Sequence, residues 1–161
     1  MSVSKAILLA VVLACAGQAH AAIVCRILSG TGLAFGLYDV LATNPTDTQT
    51  TMGITCERNG GPQNVTLVMR LSQGTYGSSV NARRMQHATR VGEYLNYGLF
   101  RDVSRNNSWG FSDGVDTMAQ SLSIPNRSSR TATFTIYGRA PAQQDVAAGN
   151  YADSVQVTVM P

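Results

Sequence analysis

His87 is the first residue to test for chemistry. It lies in the polar stretch "MQHATR", and a nucleophile–base pair would need it beside a serine or an acid, with a third group to orient the ring. No G-x-S-x-G or comparable motif supports that arrangement. Asp113 and Asp116 flank a "DGVD" turn, and two carboxylates fall short of the six to eight oxygens that calcium takes. The sequence therefore predicts no catalytic residues, no metal and no cofactor. Cys25 and Cys56 carry the remaining chemistry. A disulfide between them would close a loop of about thirty residues and stabilise the fold by roughly 3–4 kcal/mol in the chain-entropy account. The alternatives are a zinc site, for which His87 would be the one histidine ligand, and a reactive thiol.

The disulfide is the first choice because the chain reads as exported. Lys5 gives a positive start, Ala6 to Ala16 is an unbroken apolar run too short to span a bilayer, and Ala19-His20-Ala21 is a small-x-small cut site. Residues 1–21 are read as a signal peptide and 22–161 as one domain. An uncut membrane anchor is the rival. "VLAC", ending at Cys15, also resembles a lipobox, which leaves lipidation as an alternative. The whole 161-residue chain has a formal charge of +3, and losing Lys5 with the leader leaves about +2. The arginines are scattered, with one adjacent pair at Arg83-Arg84, so the dense basic face of a nucleic-acid binder is missing. No stable membrane insertion is expected of the mature domain.

No segment has an apolar stripe at helical spacing. "QNVTLVMRLS" (63–72), "RTATFTIYGR" (130–139) and "NYADSVQVTVMP" (150–161) instead alternate apolar and polar residues. "TMGITC" (51–56) and "YLNYGLFRD" (94–102) read as strands too. Turn clusters separate them: "SGTG", "NGGP", "SQGTYGSS", "RNNS" and "AAGN". With the segments around Cys25 and Phe35 taken together as the first strand, about six strands result. The fold class is all-β, a β-sandwich one strand short of the seven of an immunoglobulin domain. The last alternating strand, ending at Pro161, has nothing after it to cover its edge.

The ordered set "FGLYDV", "ITC", "RRM", "YLNYGLFRD", "WG", "YGRAPAQQDVAAGNY" and "YADSVQVTV" resembles the spore coat protein U domain family. That family includes subunits of archaic chaperone–usher pili of Gram-negative bacteria. The family motif falls on Phe35, Gly36, Tyr38, Asp39, Gly149, Tyr151 and Asp153. The resemblance implies an incomplete immunoglobulin-like sandwich completed by a donor strand from a partner. It implies three kinds of partner: a periplasmic chaperone, an outer-membrane usher, and other pilus subunits that donate a strand. The place would be the periplasm and then the cell surface, in adhesion or biofilm. The groove is expected between Leu33 and Phe35 on one wall and Val155, Val157 and Val159 on the other.

After the predicted cut, Ala22, Ile23 and Val24 alone precede Cys25. They reach about 10 Å, whereas a strand-length donor needs roughly ten residues at about 3.3 Å each. The expectation is a subunit that accepts a strand without donating one, which suits the tip of a fibre. A minor subunit, or a free-standing secreted or coat-associated domain, is the alternative. Tyr76, Trp109 and Phe111, read as loop aromatics, are the candidates for surface binding.

Overall fold

The computed structural model describes residues 22–28 and 32–161; the predicted leader lies outside the described residues. Among the described residues nine strands form: β1 (Ile23–Ile27), β2 (Thr46–Arg58), β3 (Gln63–Leu71), β4 (Arg83–His87), β5 (Tyr94–Phe100), β6 (Met118–Ile124), β7 (Ser128–Ala140), β8 (Tyr151–Ala152) and β9 (Val157–Met160). No helix occurs among the described residues. One sheet has the order β1-β2-β7-β5-β4-β8 and the other β6-β3-β9, and every pairing is antiparallel.

Alternation decides what is buried. On β3, Val65, Leu67, Met69 and Leu71 are buried. On β7, Ala132, Phe134 and Ile136 face them. A period of two puts these residues on one face, while threonines line the other. The long β2–β7 ladder runs unbroken from Thr46↔Ala140 to Arg58↔Ser128. Cys25 and Cys56 are direct cross-strand partners on β1 and β2, with Cα atoms 4.0 Å apart, and they form the disulfide. It ties the edge strand β1 to its long neighbour β2 and settles the choice among disulfide, zinc and thiol.

The all-β class stands, with more strands than the sequence suggests. β4 and β6 escape a reading by alternation. β4, "RRMQH", buries a charged residue, Arg83, and its two ends are the buried ones. β6, "MAQSLSI", presents small and neutral residues with little β-propensity. The segment 150–161, expected as one strand, divides into β8 on the larger sheet and β9 on the smaller one. The stretch around Phe35 is not a strand at all. It crosses the inner face of the larger sheet, where Leu33 and Phe35 lie against Gly138 of β7.

Candidate functional site

A cavity of about 1090 Å³ opens between the two sheets. Its floor is the inner face of the larger sheet, with Met52 of β2, Met85 of β4, Tyr97 and Leu99 of β5, and Ile136 of β7. One wall is the irregular segment 32–40, roughly 30 Å long if fully extended. The other wall runs through 146–153 to Val155 and Val157. The volume lies just above the ~300–1000 Å³ usual for small-molecule pockets.

Main-chain geometry makes this more than an apolar hollow. Among the described residues β9 is the edge of its sheet and pairs with β3 alone. The Ser72 N–H donates to the Gln156 carbonyl at 3.0 Å, and the ladder continues with Arg70↔Thr158. Bonded and non-bonded pairs alternate in an antiparallel ladder, so Val157 and Val159 turn their N–H and C=O groups to the open side. The site thus offers an unpaired strand edge beside an apolar floor.

The wall 32–40 is held by side chains rather than by a ladder. Thr48 Oγ1 donates to the Ala34 carbonyl at 2.8 Å. The Phe35 ring meets Tyr97 edge-on, with centroids 5.8 Å apart. Tyr38 donates its hydroxyl proton to the Pro141 carbonyl at 2.6 Å and accepts the Gln144 N–H at 2.9 Å. Gln144 then grips Asn96 of β5 by both its main-chain groups, at 2.7 and 3.0 Å. Gly36 has φ +73°, which favours glycine over any residue with a Cβ. At Asp39 the chain turns away, the Asp39 carboxylate accepting the Leu41 N–H at 2.9 Å.

Asp153 fastens the opposite wall. One carboxylate oxygen accepts the Thr75 and Ser154 N–H groups, each at 2.8 Å. The other accepts the Tyr97 hydroxyl at 2.7 Å. Gly74 has φ +86°, and a Cβ there would sit 2.0 Å from the carboxylate, so glycine is required on both counts. Burial raises the Tyr97 hydroxyl pKa well above its ordinary value, and the neighbouring Asp153 adds to the rise. Behind them lies Arg83, fully buried. Its guanidinium donates to the carbonyls of Leu71, Ser72, Val80 and Trp109 at 2.7–3.2 Å. Burial lowers its pKa. Arg83 has no salt-bridge partner among the described residues; the field of Asp153 and Asp116 partly compensates it.

Of the residues predicted for the groove, Leu33, Phe35, Val155 and Val157 line the cavity. Val159 lies outside its lining and packs against the core. All seven motif positions line it too: Phe35, Gly36, Tyr38, Asp39, Gly149, Tyr151 and Asp153. The loop-aromatic assignment needs correcting at Trp109, which is 0% exposed and donates its indole N–H to the Met69 carbonyl at 3.0 Å. It is a core residue, packed near Phe134. Tyr76 is partly buried beside Tyr94, whose ring carries Arg84 at 4.0 Å. Phe111 is 55% exposed. Sequence reasoning missed the Arg83 and Tyr97 network; the one feature noted there was the adjacent pair Arg83-Arg84.

His87 is buried and committed to structure. Its Nδ1 accepts the Thr89 and Arg90 N–H groups, both at 3.1 Å, which places the proton on Nε2, donated to the Ala148 carbonyl at 3.2 Å. Gly149 passes so close that a Cβ would meet Nε2 at 2.0 Å. Asp113 pairs with Arg70, which lowers the carboxyl pKa. Asp116 caps the Ser112 N–H at 2.6 Å. Among the described residues no three His, Cys, Asp or Glu side chains gather as a metal site, and no helix is long and apolar enough to cross a membrane.

Two antiparallel sheets with an open edge beside an apolar cavity define an immunoglobulin-like β-sandwich. The chain belongs to the Spore Coat Protein U domain family, whose domain matches residues 10–158. Protein U of Myxococcus xanthus is 32% identical over 148 residues, which cover 84% of this chain and 76% of that protein. A solved structure of the CsuC–CsuE chaperone–tip adhesion subunit pre-assembly complex, from the archaic chaperone-usher Csu pili of Acinetobacter baumannii, contains a similar chain. The TM-score is 0.55 and the identity 25%, over 86% of this chain. The present chain spans about two-fifths of that one, 39% of its length.

Proposed function

We propose that this protein is a structural or adhesive subunit of a chaperone–usher surface fibre, and that it takes an extended strand of another chain into the cavity. The observation that carries this reading is the edge of β9. Val157 and Val159 present main-chain groups left unpaired among the described residues, and the apolar floor beside them can receive every second side chain of an added strand. A periplasmic chaperone would supply the first strand and a neighbouring subunit its replacement at an outer-membrane usher. Export by removal of residues 1–21, and a domain over 22–161, belong to the same reading. A place at the fibre tip draws support from the similarity to a complex that includes a tip subunit.

The test is titration of the purified chain with alternating apolar peptides that copy the pattern of pilus-subunit leaders, followed by thermal unfolding. At a hundredfold excess over Kd, binding stabilises by about 2.7 kcal/mol, which for a domain of this size raises Tm by roughly 10 °C. Val157→Arg should abolish the rise. A stable monomer that no such peptide shifts would show instead a free-standing domain that needs no partner strand.

A further inference from the structure

Among the described residues the cavity carries charge of one sign only. Its lining includes two carboxylates, Asp39 and Asp153, and no Lys, Arg, His or Glu, although the whole chain is formally +3. The two carboxylates differ in availability. Asp153 is occupied by Tyr97, Thr75 and Ser154. Asp39 is exposed at the rim. One of its oxygens accepts the Leu41 N–H, and no arginine pairs with it in any salt bridge among the described residues.

We infer that the strand received by the cavity carries a single lysine or arginine where it passes Asp39, within an otherwise apolar alternating sequence. The inference rests on the strand-accepting reading above and adds the chemistry of the partner. An alternating apolar strand can slip by two residues and still bury the same kind of side chain, because its pattern repeats every two. Main-chain bonds and apolar floor contacts therefore hold such a strand without fixing its register. A rim carboxylate is a point feature, and one basic residue opposite it selects one register and steers the approach. A glutamate at that position would meet a like charge instead.

The experiment uses the full chain and a set of nine-residue alternating apolar peptides, each with one guest position occupied by Lys, Gln or Glu in turn. At low ionic strength one guest position should show Lys binding about fivefold tighter than Glu, the scale of an exposed ion pair. The preference should shrink toward none at about 0.5 M salt, where the screening length falls to ~4 Å. It should also vanish in Asp39→Asn, a substitution that keeps an acceptor for the Leu41 N–H. Peptides that bind equally with all three guests at every position would overturn this inference alone and leave strand acceptance intact. So would a preference that survives both salt and Asp39→Asn. If none of the Gln peptides binds, strand acceptance falls and this inference with it.

Discussion

Tyr97→Phe tests the network that joins the cavity floor to its wall. The substitution keeps the ring, and with it the edge contact to Phe35, but removes the 2.7 Å hydrogen bond to the Asp153 carboxylate. A hydrogen bond to a charged group is worth about 1.5–3 kcal/mol, so at pH 7 the variant should be less stable by about 2 kcal/mol. The pH dependence separates this bond from simple packing. Burial first, and Asp153 second, raise the Tyr97 pKa in the folded protein above the ordinary value of 10.0. Below pH 10 both folded and unfolded chains keep the phenolic proton, and the bond contributes in full. Above pH 10 the unfolded chain releases a proton that the folded chain retains. Wild-type stability then falls by about 1.4 kcal/mol per pH unit, a slope the phenylalanine variant lacks. By pH 11 the gap between the two proteins should therefore narrow from about 2 to about 0.6 kcal/mol. Urea unfolding followed by the fluorescence of the one tryptophan, Trp109, which is fully buried, measures both values. Equal pH slopes in the two proteins, or no loss at pH 7, would refute the reasoning.

Arg83→Met should destabilise by about 3 kcal/mol, because four carbonyls lose their donor while the cost of burying the charge is recovered; denaturant midpoints check it, and a loss under about 1 kcal/mol counts against the network. Replacing Cys25 and Cys56 together by alanine should cost about 3–4 kcal/mol, read from the same curves. Gly138→Ala would place a Cβ 2.8 Å from Leu33 and 3.1 Å from the Phe35 ring. That should push wall 32–40 outward, cost about 1–3 kcal/mol and weaken peptide uptake, measurable by calorimetry; unchanged uptake would show that this wall does not shape the site.

The parts of the fold legible in the sequence are those where one physical rule acts alone. β3 and β7 alternate cleanly because each has one face on the core and one in solvent, and period two states that directly. The rule fails where a tertiary contact replaces hydrophobicity as the reason for burial. β4 is held by an arginine whose donors satisfy carbonyls from three other segments, so no window of its own sequence could reveal it. Trp109 misled for a related reason. It sits among glycine, serine and asparagine, the composition of a loop, and the chain there is indeed irregular. Yet its indole reaches the Met69 carbonyl in the middle of β3. Turn composition predicts backbone shape and says nothing about where an adjacent side chain goes.

The cavity shows the same division at the level of function. Alternation from Tyr151 to Val159 correctly separates inward from outward residues, yet it cannot show that the chain changes sheets between Ala152 and Val157. The change has a local cause. Asp153 turns its carboxylate inward to Thr75, Ser154 and Tyr97, and Gln156 takes up Ser72 through both its N–H and its carbonyl. Those bonds draw the chain off β4 and onto β3. Because β9 arrives late and pairs with β3 alone, its outer edge has no partner among the described residues. On the far side, segment 32–40 is held off the ladder by Tyr38 and Thr48 rather than closing against β9. The open edge is thus produced by polar side chains on both walls, two of them, Tyr38 and Asp153, at positions that the sequence resemblance singles out. Their arrangement, more than the valines they frame, keeps a strand-sized opening in a domain whose apolar residues would otherwise favour closing it.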